Sequence, residues 1–208
     1  RLLLQTAPLY ETLSFDENGK ATEDLHVLVV GSGNVGQAVI KQLVMNGQFC
    51  GSRFRLAVFD PEFNAITGRL RYECSQLFDN YDIRVYDADA RSDRMYAFLA
   101  EHWQGLKYIV VCTGNDDSNR EICRQLNHFL MMHGSEPPLY VCSTRGLQKV
   151  TASSTQRWEI FTSQVLCSDE IDRKAMQLNH RYCGGASARA DWETCDYFSR
   201  MSSRASAD

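Results

Sequence analysis

Short apolar runs, each stopped by glycine or a polar residue, recur along the chain and alternate with stretches of helical periodicity. The first run, Leu25–Val30 (LHVLVV), reads into Gly31, and a helix is expected over Val35–Met45. Phe54–Phe59 (FRLAVF) is closed by Asp60, after a loop insertion at Asn46–Arg53. Asp82–Tyr86 (DIRVY) leads into Asp87-Ala88-Asp89, and Ser92–Trp103 sets Met95, Phe98, Leu99 and Trp103 at helical spacing. Tyr108–Cys112 (YIVVC) is nearly all apolar, as suits a strand covered on both faces. The polar loop Thr113–Asn119 separates it from a helix over Arg120–Met132. Leu139–Cys142 follows Pro137-Pro138 as a fifth strand, and Trp158–Phe161 (WEIF) supplies a sixth. Such alternation predicts an α/β protein built on a doubly wound parallel sheet of about six strands.

The glycines after the first run carry the chemistry. Gly31, Gly33 and Gly36 stand at G-x-G-x-x-G spacing in GSGNVG, whose other members are Ser32, Asn34 and Val35. Gly31 lets the chain turn out of the strand, Gly33 bares the backbone to a pyrophosphate, and Gly36 lets the helix pack close to the strand. The free N–H groups and positive dipole end of that helix would face the phosphates. An acid closing the second strand is the expected partner of ribose hydroxyls, and Asp60 stands there; the plainer reading is a turn residue before Pro61. A 2′-phosphate would meet like charge at Asp60, and Arg53 and Arg55 precede the acid, which favours an NAD-type over an NADP-type ligand. Ligands of such sheets bind at the carboxyl edge where strand order reverses, so Gly31–Gly36, Asp60, Asp87–Asp89 and Thr113–Asn119 would share one edge. Together these features predict a Rossmann-type nucleotide-binding domain over residues 25–168, with NAD or NADH as ligand and AMP or ATP as alternatives. Residues 1–24 are expected to form a lead-in, with Leu2–Phe15 a helix or linker and Asp16–Asp24 a loop.

Composition narrows the classes. A net charge of −4 over 208 residues, with no basic run, gives no electrostatic case for a nucleic-acid partner. No signal peptide and no apolar stretch of transmembrane length is visible. Eight cysteines are scattered without a C-x-x-C pair, which fits a reduced cytoplasmic protein without a metal cluster. The histidines are equally dispersed, and His26 reads as a structural or strand-entry residue. A start at Arg1 and a polar stop at Asp208 suggest a piece of a longer protein.

GSGNVG, the Phe59-Asp60 strand end, YDADA at Tyr86–Ala90 and VVCTGNDDSN at Val110–Asn119 together resemble the Trk/RCK-type nucleotide-binding domain, over about Leu25–Ser168. The resemblance implies a dehydrogenase-like fold used as a cytoplasmic regulator of potassium channels and transporters, usually paired as a homodimer. It implies adenosine ribose contact at Asp60 and a place near the adenine for Asp87, Ala88 and Asp89. It also implies a cleft-lining role for Thr113, Gly114, Asp116 and Asn119. Tyr86 departs from the glycine usual in that family before the Asp-Ala pair. Residues 169–208 resemble the start of a RyR-type helical repeat: Ile171–Tyr182 has Ala175, Leu178 and Tyr182 at helical spacing, followed by Asp191-Trp192 and Phe198–Asp208. The alternative is an amphipathic helix with a Ser/Arg-rich surface tail.

Catalysis is not expected of this chain. A dehydrogenase needs a proton donor or acceptor beside the nicotinamide, and no Ser/Tyr/Lys or His/Asp arrangement presents itself. Asp116, Asp117 and Ser118 read as caps of the helix that follows them. The leading expectation is a regulatory module of a larger protein that has a channel or transporter part. An oxidoreductase lacking its catalytic half and a Rossmann scaffold with an empty cleft stand as alternatives.

Overall fold

The computed structural model describes residues 1–143, 146–150, 155–159 and 169–207. They fall into two compact units, one of Pro8–Glu159 and one that joins Arg1–Ala7 to Ile160–Asp208. The second unit thus contains the first helix, α1 (Leu2–Thr6), so the chain's first residues group with its last helices.

The larger unit is built on a seven-stranded sheet. After a short turn of helix at Leu9–Thr12, the strands are β1 (Leu25–Val30), β2 (Phe54–Phe59), β3 (Asp82–Tyr86), β4 (Leu106–Val111), β5 (Leu139–Ser143), β6 (Gly146–Val150) and β7 (Thr155–Glu159). Their order in space is β3-β2-β1-β4-β5-β6-β7. β1 to β5 run parallel, and β6 and β7 continue the sheet antiparallel. Strand order reverses between β1 and β4, which makes the carboxyl ends of those strands the natural ligand crevice.

The apolar runs become the central strands because only there are both faces covered. Leu28, Val30, Phe59, Ile109 and Val111 share one core cluster with Met95, Phe98 and Leu99 of α6 (Asp93–His102) and Ile122, Leu126 and Leu130 of α7 (Asp116–Met132). Alternation puts Val27, Val29, Val58 and Val110 on the opposite face, where each is fully buried. Edge strand β3 is half-buried throughout except for exposed Arg84.

Three differences from the sequence reading have physical causes. The crossover from β2 to β3, where the sequence pattern predicts no element, carries three short helices, α3 (Phe63–Ile66), α4 (Gly68–Glu73) and α5 (Leu77–Asn80). Single apolar anchors, Phe63 and Leu70 fully buried and Leu77 nearly so, hold each turn, and such isolated positions leave no periodic trace. β6 was not anticipated, since its sequence GLQKV is only partly buried and lacks an apolar run. The sixth predicted strand belongs to β7 as far as Glu159 and pairs antiparallel with β6, not parallel with β5, although it points the same way as β1 to β5; Ile160 and Phe161 lie outside the described residues. α2 (Asn34–Asn46) follows β1 as expected, one residue longer at each end.

The second unit contains α8 (Arg173–Cys183), α9 (Ala188–Thr194) and α10 (Tyr197–Ala207). Ala175, Met176 and Trp192 form its small core. The buried stripe of α8 is Ala175, Met176 and Asn179, whereas Tyr182, expected on it, is 85% exposed. α8 ends at Gly184 in a left-handed conformation, and Ser187 caps α9 by accepting from the N–H of Ala190 at 3.2 Å. His180 Nδ1 lies 2.6 Å from Asp191 Oδ2, and Asp172 is paired with both Arg1 and Arg204. Among the described residues no helix is long and apolar enough to cross a membrane.

Candidate nucleotide-binding cleft

The glycine turn assigns each glycine a different task. Gly31 has φ +97°, and a Cβ there would lie 2.6 Å from the carbonyl oxygen of Cys112 at the end of β4. At Gly36 a Cβ would lie 2.1 Å from the carbonyl oxygen of Gly31, so the first turn of α2 sits against the turn backbone to backbone. At Gly33 a Cβ would meet nothing within 4 Å. The space in front of Gly33 is therefore open, and Gly33, as the residue before α2, provides no side-chain cap for its N–H groups.

Asp60 is turned inward to this loop. Its Oδ2 accepts from the N–H of Ser32 at 2.6 Å and from the Ser32 hydroxyl at 2.8 Å, while its Oδ1 accepts from the N–H of Glu62 at 2.8 Å. Ser32 is fully buried and Asp60 is 8% exposed. Gln37 continues the lattice by donating to the carbonyl oxygens of Ser32 (3.0 Å) and Ile66 (3.1 Å), tying the glycine turn to α3.

The loop after β4 is organised by two asparagines. Asn115 Oδ1 accepts from the N–H groups of Asp117 (3.0 Å) and Ser118 (2.9 Å) and is the cap of α7. The cap was expected of Asp116, Asp117 and Ser118, but the helix begins at Asp116, so these residues lie inside its first turn. Fully buried Asn119 accepts at Oδ1 from the N–H (2.9 Å) and hydroxyl (2.7 Å) of Thr113, and its Nδ2 donates to Cys142 O at 3.1 Å. Beyond β3, Arg91 grips Asp89 through Nε (2.9 Å) and Nη2 (2.7 Å) and reaches Glu121 at 3.4 Å. The Arg91 hydrogen bonds hold the Asp89 carboxyl down to about 2.

These pieces enclose a cleft of about 280 Å³ at the carboxyl edge of the sheet. Of the residues expected there, Gly31, Gly33, Asp60, Asp89 and Thr113 line it. Ser32, Gly36 and Asn119 stand behind the lining and hold it in place. Asn34, Val35, Asp87, Ala88, Gly114 and Asp116 are not part of its wall. Glu62, Ile66 and Arg91 line the cleft and were missed, while Asn115 and Ser118, placed on this edge only as part of the loop Thr113–Asn119, line it too. Glu62 had a signal, a second acid two residues after the strand-closing one, and Asn115 stood one residue before an acidic helix start.

The other end of the sheet is chemically separate. Arg53 and Arg55 sit at the amino end of β2, paired with Asp82 (2.9 Å) and Asp24 (3.0 Å), while Asp60 is at its carboxyl end. His26, near the start of β1, is pushed down to about 4 by burial, with the charges of His102 and Arg55 adding to it. Burial pushes the Cys112 thiol up, Cys123 to about 12 and Cys142 to about 11. Among the described residues no group of three or more His, Cys, Asp or Glu is placed to hold a metal.

A glycine turn at the strand-order reversal, an uncapped helix N-terminus and acids along the same edge define a dinucleotide-binding α/β domain. Residues 21–142 match the family titled "Putative NAD(P)-binding", and the chain belongs to that family. No curated protein matches the sequence. Among solved structures the chain is similar to "SirC, precorrin-2 dehydrogenase", at 14% identity over 89% of this chain and 93% of that one, with a TM-score of 0.38.

Proposed function

We propose that this chain is a regulatory nucleotide-binding module of a larger protein and that its ligand is NAD or NADH. The observation that carries the reading is the cleft's make-up. An open glycine backbone, acids, an amide and hydroxyls line it. Such a wall suits the pyrophosphate and ribose hydroxyls of a dinucleotide. Membership in an NAD(P)-binding family favours the dinucleotide over AMP or ATP. Gly33 and the start of α2 would take the pyrophosphate, and the wall from Asp60 to Glu62 would take the adenosine ribose.

The finer part of the proposal follows the sequence resemblance. The motifs from Gly31 to Asn119 support a Trk/RCK-type regulator, acting as a cytoplasmic homodimer on a channel or transporter part. The helical unit of α8 to α10 would be the start of a RyR-type repeat. A ligand regulates only if it binds two conformations unequally. Hydrogen exchange with and without NADH tests this. The proposal expects protection that spreads beyond the cleft, with NADH left unoxidised during incubation. Protection confined to the cleft, or steady loss of reduced-nicotinamide absorbance with a small carbonyl substrate, would contradict it.

A further inference from the structure

Two acids, Asp60 and Glu62, line the cleft between the end of β2 and α3, and the structure distinguishes them. Asp60 is almost fully committed: a carboxylate offers about four acceptor positions, and Ser32 N–H, Ser32 O–H and Glu62 N–H occupy three of those on Asp60. The vicinal hydroxyls of a ribose present two donors, more than Asp60 has places left for. Glu62 is the opposite case. Its backbone is fixed at the start of α3, its N–H held by Asp60 and its carbonyl oxygen accepting from Ala65 (2.9 Å) and Ile66 (3.1 Å). Its side chain is exposed and lines the cleft, and among the described residues nothing is bonded to its carboxylate.

We infer that Glu62, and not Asp60, is the residue that receives the adenosine ribose hydroxyls and sets the preference for NAD over NADP; this rests on the NAD(H) reading above. The charge balance of the cleft agrees. Arg91 is the cation among the described lining residues, and it is already gripped by Asp89 at 2.7 Å and bridged to Glu121. A 2′-phosphate would therefore meet the free Glu62 carboxylate with no uncommitted cation to offset it. Asp60 becomes a positioning residue that fixes the glycine turn through Ser32.

The test is a calorimetric titration of the whole chain with NAD and with NADP, on wild type, Glu62→Gln and Asp60→Asn, with a melting curve for each. Glu62→Gln should melt with wild type, bind NAD about tenfold more weakly and lose most of its discrimination against NADP. Asp60→Asn should melt lower and lose both ligands in parallel. Unchanged NAD affinity and unchanged discrimination in Glu62→Gln would overturn the inference, as would an Asp60→Asn protein that melts with wild type yet loses discrimination. Wild type binding neither dinucleotide would overturn the NAD(H) reading itself, and the Glu62 role with it.

Discussion

The packing of the glycine turn allows stability and binding to be separated by two alanines. Gly36→Ala places a methyl 2.1 Å from the carbonyl oxygen of Gly31 and 2.8 Å from its carbon. Carbon–oxygen contacts settle at about 3.3 Å or more, so α2 must retreat by about 1 Å from the turn. Overpacking of this order costs about 1–3 kcal/mol. Both partners are backbone, so no rotamer relieves it and the upper part of that range applies. Replacing a helical glycine by alanine returns up to about 1 kcal/mol, leaving a net loss of about 2 kcal/mol. For a domain of this size that is a drop of about 4–8 °C in melting temperature. Gly33→Ala meets no atom within 4 Å and has an ordinary φ of −62°, so its melting temperature should stay within about 2 °C of wild type. Its methyl does enter the space assigned to the pyrophosphate, so NADH should no longer raise its melting temperature. Circular-dichroism melts of both variants, with and without NADH, read both effects. A Gly36→Ala protein that melts with wild type, or a Gly33→Ala protein that melts as low as Gly36→Ala, would refute the packing argument.

Other consequences follow from the same contacts. Asn119→Ala removes the acceptor of the Thr113 N–H and the donor to the carbonyl of Cys142, while the exposed Thr113 hydroxyl keeps Asn115 O, and should cost about 1–2 kcal/mol in urea denaturation; a loss under about 0.5 kcal/mol would count against the pin it forms. His26, held at about 4 against a usual 6.5, takes up a proton more readily in the unfolded chain. Its contribution is intact above pH 6.5 and is lost as pH falls from 6.5 towards 4. The shift corresponds to a ceiling of about 3 kcal/mol, and partial exposure lowers this to about 1–2 kcal/mol. His26→Leu should therefore flatten the acid limb of stability against pH, and an unchanged limb would exclude His26 as its source. Under native conditions iodoacetamide should label exposed Cys50 and Cys183 and spare buried Cys112 and Cys123, read by mass spectrometry; equal labelling of all four would contradict the burial.

The strands were legible where burial on both faces removed every polar residue, as at Val27–Val30 and Tyr108–Val111. The glycine turn was legible because three steric demands fall at fixed spacing. What escaped was held by single residues. Phe63 and Leu70 pin short helices without creating a period, and β6 gains its place from pairing with β5 rather than from its own composition. The site shows the same division. The sequence pointed to the edge, but not to how Asp60 spends its acceptors, because Ser32 and Asp60 are brought together only by the pairing of β1 with β2. Arg53 and Arg55 looked close to the acid along the chain, yet a strand's length places them at the far edge of the sheet.

The cleft in front of Gly33 is the proposed place of NAD or NADH. Calorimetric titration of the chain with NAD, NADH, NADP, AMP and ATP decides this, with Gly33→Val as the control that fills the cleft without disturbing the core. Saturable NAD or NADH binding, tighter than NADP and lost in Gly33→Val, is the predicted result. Absence of binding by all five, or NAD binding that Gly33→Val leaves intact, would contradict the claim.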